Sequence, residues 1–369
     1  GIMNPDALAA PQTAADVLLA GPGYALVLAM VFLFGLSIGS FLNVCIHRLP
    51  LGLSVNNPKR SFCFRCGTQI RAVDNIPVLS YLLLRGRCRA CGAKFSARYA
   101  IVELLTGLLF AGLFWRHTPP GSESVAWGVF PLMALAAVLV VGTMTDLDHW
   151  IFPTGIATWG WPFMLLAALP LGWLDPLGFL SSGGPFPAIR LVGGPWEDKL
   201  IALLAGPREF IFRPEEVLWW EPLANAAIGA VLAPAMLYAV GLLGKLLFRR
   251  DAMGMGDVYL YIFIGAAVGF PHAVLSLMAA SILGSILGTA HIVWRRTQSG
   301  GAKSPLLEGE AMGEEAEFAA GEAPPLWKRL FDAARHAPIS GVGRNHLPFI
   351  PWIAGGTIIV LFFSPYLVR

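Results

Sequence analysis

The chain has 369 residues, of which 56% are hydrophobic and only 13% carry a charged side chain. This composition is atypical of a water-soluble globular protein and indicates a membrane protein. The formal net charge of +3 is too small to indicate a nucleic-acid partner, so the positions of the charges are more informative than their sum.

Eight apolar runs are candidates to cross the bilayer, since about 20 helical residues span about 30 Å of hydrocarbon. The fourth run contains Pro162 and Pro170, and the sixth is short. We therefore predict an all-α polytopic membrane protein with about eight transmembrane helices. In chain order the runs lie near residues 24–45, 99–116, 125–145, 156–174, 223–248, 257–271, 273–294 and 347–367.

Basic residues predict the orientation of these spans. Residues 46–98 contain ten lysine and arginine residues but only one acid, Asp74. Because short loops rich in lysine and arginine stay in the cytoplasm, this segment is predicted to be cytoplasmic. Basic residues within 245–250 and 295–296 then fall at the cytoplasmic ends of spans five and seven, so three clusters agree with one topology.

The domain organisation follows from this topology. An extracytoplasmic N-terminal segment, 1–23, precedes transmembrane helix 24–45 and the cytoplasmic segment 46–98, and the remaining spans lie within 99–369. Two insertions interrupt that last region. One, at 175–222, is rich in glycine and proline and is predicted to be extracytoplasmic; the other, at 297–345, is cytoplasmic and contains an acidic low-complexity stretch that predicts partial disorder.

Four of the five cysteines form two C-x-x-C pairs in the cytoplasmic segment: Cys63 with Cys66, and Cys88 with Cys91. Four thiolates at this spacing can surround zinc as a tetrahedron, and the neighbouring arginines are expected to favour the thiolate form. A closed four-cysteine site leaves no position for water and indicates a structural metal. The alternative is free or redox-active pairs. Cys45 is predicted to be a small buried apolar residue.

Three aspartates fall at predicted membrane borders on the cytoplasmic side. Asp146 and Asp148 end span three, and Asp257 opens span six. Two carboxylates brought together across a water molecule form an acid–base pair, because their repulsion keeps one protonated while the other is ionised. Such a pair can hydrolyse a peptide bond. For Asp148 we favour a noncatalytic exposed acid, since two positions along a helix its side chain points elsewhere.

Two glycines lie just before Asp257 in the sequence. Gly254 and Gly256 lack side chains, so they are predicted to interrupt the helix start and to let an extended peptide approach the carboxylate. The alternative for Asp257 is an ordinary residue at a helix N-terminus whose charge complements the macrodipole.

Four motifs in order resemble the type IV prepilin peptidases. They are "GSFLNVCIHRLP" (39–50), "DNIPVLSYLLLRGRCRACGAKFSARYAIVELLTG" (74–107), "TDLDHWIFPTG" (145–155) and "GMGD" (254–257). The resemblance implies an aspartic protease of the bacterial inner membrane. Its active site faces the cytoplasm and removes the basic leader from prepilins and pseudopilins, and residues 99–369 form the peptidase domain.

The resemblance also implies residue roles and a cofactor. The family's two catalytic aspartates correspond to Asp146 and Asp257, and the family commonly methylates the new N-terminus with S-adenosylmethionine. The sequence shows no Rossmann-type glycine fingerprint for that donor, so its binding residues stay unassigned. Thr154 replaces the family's usual aspartate and Tyr259 its usual lysine, which affects the expected substrate contacts.

Three polar residues at span borders have two open interpretations. Asn43, Arg48 and Glu103 either pack helix ends or contact substrate. Each interpretation is compatible with the sequence, because all three lie beside the cytoplasmic segment.

Two other classes of function remain as alternatives. The string "GLSIG" (35–39) matches the G-x-S-x-G motif of serine hydrolases, and His291 would be the base. However, Ser37 lies within an apolar helix rather than at a strand-to-helix turn, and the two glycines of the string predict a helix-packing face. A transporter using Asp146 and Asp257 is the other alternative, although a transport site is expected near the bilayer midplane.

Overall fold

The computed structural model describes residues 19, 21–56, 61–63, 65–121, 129–149, 152–153, 156, 160, 221–248, 254–298 and 349–363. Most of the predicted fourth span and nearly all of both predicted insertions lie outside these residues. Within the described part the chain is helical and has no β-strand. Its isolated β-bridges join Phe62 to Gln69 and Arg87 to Lys94 in the cysteine-bearing segment.

Seven α-helices form the described structure. Five of them contain a stretch long and apolar enough to cross a membrane, which makes the chain an integral membrane protein and agrees with predicted spans one, two, three and five. Short 3₁₀ turns occur at Leu49–Leu51 and Ala72–Asn75. The α-helices are α1 (Gly21–Arg48), α2 (Leu79–Leu83), α3 (Arg98–His117), α4 (Val129–His149), α5 (Glu221–Phe248), α6 (Met255–Gln298) and α7 (Ile350–Phe363).

Helix α6 covers two of the predicted spans. Its 44 residues would extend about 66 Å if straight, which is about twice the hydrocarbon thickness. The backbone breaks inside the helix at Gly269, with φ 77° and ψ 164°, and Pro271 follows. Glycine tolerates this conformation because it has no Cβ. The break lies near the predicted boundary between spans six and seven; the total of eight spans stays a prediction.

Helices α1 and α3 pack through small residues. A Cβ added at Gly39 would lie 2.7 Å from the Glu103 Cα, and one added at Gly35 would lie 2.8 Å from the Gly107 Cα. Any side chain at these positions would push the two backbones apart, which confirms the predicted packing face at "GLSIG". The Ser37 hydroxyl donates to the Leu33 carbonyl within its own helix and is exposed.

Helix α4 is the most enclosed of the candidate membrane helices. Of the 18 residues in its apolar stretch, 67% are buried, against 22–39% in the other four helices. It packs against α1, α3, α6 and α7. Helices α6 and α7 are joined by a buried hydrogen bond of 2.7 Å between the Ser276 and Thr357 hydroxyls. Asp146 and Asp148 therefore lie in the last turn of the most enclosed of these helices.

Candidate active site

Asp146 lies in the last turn of α4 and is only 7% exposed. The backbone N–H of Ile350 donates a hydrogen bond of 3.1 Å to its Oδ2 atom. Ile350 is the first residue of α7, so the Asp146 carboxylate satisfies one of the N–H groups that a helix N-terminus leaves without an intrahelical partner. This contact orients the carboxylate and links two helices that are remote in the sequence.

Asp257 lies in the first turn of α6 and is also 7% exposed. Its backbone N–H donates to the Gly254 carbonyl at 3.3 Å, which forms the turn leading into the helix. Asp146 and Asp257 lie close enough for their carboxyl groups to interact electrostatically. The end of α4 and the beginning of α6 therefore bring the two buried carboxylates into one site.

Phe152 lies between the segments that carry the two acids. Its ring is 3.0 Å from the position that a Cβ would take at Gly142, which precedes Asp146 by about one helical turn. Its own Cβ is 2.8 Å from the corresponding position at Gly256, the neighbour of Asp257. Because Phe152 is buried and touches both segments, it is a packing wedge that sets their relative position.

The two glycines before Asp257 have different surroundings. At Gly254 an added Cβ would meet only the Asp257 Oδ2 atom, at 3.9 Å, and the Gly256 nitrogen, at 4.0 Å. This leaves space beside the carboxylate. Gly256 instead faces Phe152 closely, so the fold has a packing reason for a glycine there.

Asp148 is engaged by Arg98, the first residue of α3. The two side chains form an ion pair, and the same guanidinium donates at 3.1 Å to the Met144 carbonyl. Asp148 is therefore a link between α3 and α4, which agrees with a noncatalytic role. It differs from the expected exposed acid, because its side chain is only partly accessible.

The three polar residues with open interpretations all make backbone contacts. The Asn43 side chain donates to the Tyr99 carbonyl at 3.0 Å, and Arg48 donates to the Val55 carbonyl at 3.0 Å. Glu103 accepts the Val78 N–H at 2.7 Å. These contacts favour helix-end packing. Tyr259 is partly exposed, whereas Thr154 and the side chain of His291 lie outside the described part of the chain.

The four cysteines of the cytoplasmic segment come together. Their sulfur atoms all lie within 4.8 Å of one another, and the Cys63 and Cys91 sulfurs are 3.8 Å apart. A tetrahedral zinc ion bound about 2.3 Å from each sulfur separates the sulfurs by about 3.8 Å. The cluster therefore has the size and the ligand chemistry that suit a metal ion. Cys45 is buried and lies outside it, as predicted.

Thr68 favours the metal-binding form of one cysteine. Its hydroxyl lies 3.2 Å from the Cys66 sulfur. Hydrogen bonds from this hydroxyl and from the Thr68 backbone lower the pKa of the Cys66 thiol to about 6. Because metals bind thiolates, this neighbour prepares Cys66 for coordination. No arginine is among the groups that shift the pKa of this thiol, so Thr68 takes the role expected of the neighbouring arginines.

Sequence reasoning missed Phe152, Gly142 and Ile350. Phe152 is part of the quoted motif "TDLDHWIFPTG", but an apolar residue there has no local signal that distinguishes it from lipid-facing neighbours. The Ile350 contact uses a backbone N–H, which every residue except proline has. Neither contact could be found without the tertiary structure.

Two family models match separate parts of the chain. Residues 33–117 match the bacterial peptidase A24 N-terminal domain, and residues 200–289 match the type IV leader peptidase family. The first region contains all four cluster cysteines, and the second contains Asp257.

Curated proteins named prepilin leader peptidase/N-methyltransferase are similar to this chain over most of its length. The one from Myxococcus xanthus (strain DK1622) is 32% identical and covers 94% of each chain. The one from Aeromonas salmonicida (strain A449) is 34% identical over 72% of this chain and 82% of its own. The Pseudomonas aeruginosa protein is 30% identical over 76% and 86%. No solved structure matches. From this identity and coverage, the chain belongs to the type IV leader peptidase family.

Proposed function

We propose that this chain is an aspartic endopeptidase of the bacterial inner membrane that removes the basic leader of type IV prepilins and pseudopilins. The observation that carries the proposal is the meeting of two buried carboxylates, Asp146 and Asp257, in a member of the leader peptidase family. The relatives' shared name supports the same substrate class.

The two carboxylates divide the chemistry of hydrolysis between them. One is ionised and takes a proton from a water molecule, while the other is protonated and donates a hydrogen bond to the scissile carbonyl oxygen. The water oxygen then attacks the carbonyl carbon. As the tetrahedral species collapses, a carboxyl proton passes to the leaving amine. The Ile350 amide holds Asp146 in position during these steps.

The location of the pair suits a substrate that lies partly in the membrane. Asp146 ends α4 and Asp257 begins α6, so both acids lie near helix ends rather than at mid-span. Asp148, two residues from Asp146, pairs with Arg98 at the end of the basic segment 46–98. By the positive-inside rule this end is cytoplasmic. A basic leader in the cytoplasm and an apolar pilin helix in lipid would meet at this border.

The proposed cofactors have separate roles. Zinc would be held by Cys63, Cys66, Cys88 and Cys91 and would stabilise the cytoplasmic segment, as closed four-cysteine sites do. We also propose N-methylation of the new terminus with S-adenosylmethionine, on the relatives' printed activity. The described residues do not assemble a recognisable donor site, so no residue is assigned to that group.

Neither alternative class has comparable support. Ser37 is exposed on α1, and its hydroxyl is bound to the Leu33 carbonyl, so it lacks the strand-to-helix turn of a serine nucleophile. A transporter is disfavoured because the acids lie at helix ends rather than near the bilayer midplane.

The proposal is tested with the purified protein and a purified prepilin in detergent. We expect mass spectrometry to show a mature pilin cleaved after a glycine at the end of its leader and, with S-adenosylmethionine added, a product with one extra methyl group. Cleavage without methylation would contradict only the transferase. An intact prepilin in the presence of folded enzyme would contradict the peptidase.

The Phe152 wedge leads to a prediction about the two glycines. Gly256→Ala places a Cβ 2.8 Å from the Phe152 Cβ, and neither atom can rotate away. We expect a loss of about 1–3 kcal/mol in the free energy of unfolding from overpacking. Prepilin cleavage should fall by about 100-fold, because a displacement of about 1 Å at a catalytic group has that effect.

Gly254→Ala is the matched control for stability, since its added Cβ meets no atom closer than 3.9 Å; because that Cβ enters the space beside Asp257, its cleavage rate reports on substrate access as well. Thermal unfolding and initial cleavage rates of both variants show whether the Phe152 contact positions Asp257. Equal effects of the two substitutions on stability and rate would show that the Phe152 contact does not position Asp257.

A further inference from the structure

The short helix α2 exposes leucines on one face. Leu79, Leu82 and Leu83 are 48%, 64% and 70% exposed, and their i, i+3, i+4 spacing places them on the same side of the helix. We call these three residues the leucine face. Val73 and Ile76, in and beside the preceding 3₁₀ turn, are exposed as well. So many exposed apolar side chains within eleven consecutive residues mark an interaction surface.

A partly buried hydrogen bond fixes the depth of this helix relative to the membrane. The Val78 N–H, immediately before α2, donates to Glu103 Oε2 at 2.7 Å. Glu103 lies five residues inside the membrane-spanning helix α3, about 7.5 Å along its axis from Arg98. The beginning of α2 therefore lies level with the second turn of a membrane helix and not out in the cytoplasm.

The Glu103 contact is built into the packing. Glu103 is buried, and its Cα lies against Gly39 of α1, so the acceptor cannot move outward. Val78 has φ 60° and ψ −48°, a positive-φ turn conformation that is a genuine outlier for a β-branched residue. The hydrogen bond to Glu103 offsets this strain. The chain therefore turns toward the membrane at Val78. The leucine face, which follows Val78 directly, lies on the same side.

Arginines flank the leucine face in the sequence. Arg71, Arg85 and Arg87 are exposed and form no ion pair among the described residues, although Arg71 interacts with Asp74 at longer range. Asp74, the one acid of residues 46–98, is engaged by Arg89 through bonds of 2.6–3.0 Å. An apolar helix face with arginines beside it is the pattern of a segment lying in the interface of an anionic membrane.

We propose that the leucine face is a membrane-docking surface, inserted among the acyl chains of the cytoplasmic leaflet with Arg71, Arg85 and Arg87 at anionic headgroups. Lipid fits better than a protein partner because the Glu103 bond places the surface at headgroup depth, where lipid already surrounds α1 and α3. The cysteine cluster, whose two C-x-x-C pairs precede and follow α2, is then held against the bilayer. This inference does not depend on peptidase activity.

The test uses a photo-crosslinking phenylalanine analogue, benzoylphenylalanine, at position 83 of the full chain in nanodiscs containing phosphatidylglycerol. We expect lipid adducts by mass spectrometry after illumination, as at Leu26 of α1, an exposed position within a membrane helix. Gln69, which is exposed and lies three residues after Cys66, is the negative control and should give at least 10-fold fewer adducts. Comparable yields at 69 and 83, or none at 83, would overturn the proposal.

Two further experiments identify what the leucine face contacts. Adding prepilin should leave the adducts at position 83 unchanged; transfer of the crosslink to prepilin would make the surface a substrate site instead and would also contradict lipid docking. Replacing Arg71, Arg85 and Arg87 with glutamine should lower the lipid adducts several-fold in phosphatidylglycerol but not in phosphatidylcholine. Arg65→Gln is the matched control, and unchanged zinc content verifies folding. Insensitivity to the triple substitution would contradict the role of the arginines.

Discussion

We expect Asp146→Asn and Asp257→Asn each to lower the rate of prepilin cleavage by about 10³-fold or more. The reason is that each substitution removes a group that either accepts the proton from water or supplies the proton to the substrate, and asparagine can do neither at neutral pH. Asparagine has nearly the same shape, and its side-chain oxygen can still accept the Ile350 N–H at position 146. The variants should therefore fold normally. Initial rates on purified prepilin, with thermal unfolding of each variant, measure this.

Asp148→Asn is the matched control for that experiment. It also removes a carboxylate from the end of α4, but one that is engaged by Arg98. We expect it to keep cleavage within a few-fold of the parent rate and to lose at most about 1 kcal/mol of stability, the usual range for a partly exposed ion pair. Ser37→Ala should leave cleavage unchanged, since that hydroxyl is exposed on α1. Substantial cleavage by either the Asp146 or the Asp257 variant would show that the pair is not catalytic.

We expect Cys63→Ser and Cys88→Ser each to abolish metal binding by the cluster and to unfold the cytoplasmic segment. A four-cysteine site contributes folding free energy directly, and the segment has little apolar core, with Cys63 its one fully buried cysteine at 1% exposure. We expect zinc to fall from one ion per chain to near zero. Limited proteolysis should then cut within residues 52–97, while the membrane helices stay intact. Elemental analysis and mass mapping of the fragments measure both effects.

Cys45→Ser is the matched control for the cysteine variants. Cys45 is buried in α1 and lies outside the cluster, so its substitution should leave one zinc ion per chain and an uncut segment. Full zinc occupancy in the Cys63 or Cys88 variants would contradict metal binding by the cluster. A zinc-free parent protein whose cysteine pairs form disulfides reversibly on oxidation and reduction would favour the redox interpretation.

Composition and spacing were sufficient to predict the class of the protein and its reactive groups. Long apolar runs predict membrane helices because the hydrocarbon core has a constant thickness, and α1, α3, α4 and α5 agree with them. The spacing of the four cysteines predicts a common cluster because each C-x-x-C pair is a local turn, and the sulfurs do come together. The glycines of "GLSIG" predict a packing face for the same local reason.

The pairing of the acids needed more than a pattern. Topology places Asp146 and Asp257 at one depth, but depth alone does not distinguish Asp257 from an ordinary helix-start residue, nor Asp146 from Asp148. The structure distinguishes Asp146 from Asp148 through contacts between remote segments. Arg98 engages Asp148, while the Ile350 N–H engages Asp146.

By itself, the sequence of this protein determined that it is a helical membrane protein and which residue types it offers for chemistry, and it predicts which side of the membrane they face. Those properties depend on hydrophobicity, charge and short spacings, all of which are local. Only the tertiary structure decided that Phe152 packs between Gly142 and Gly256, and that Glu103 accepts a hydrogen bond from the Val78 N–H. The physical reason is that a close contact between distant segments depends on how whole helices pack, and a buried phenylalanine or a backbone N–H has no sequence signal that identifies its partner.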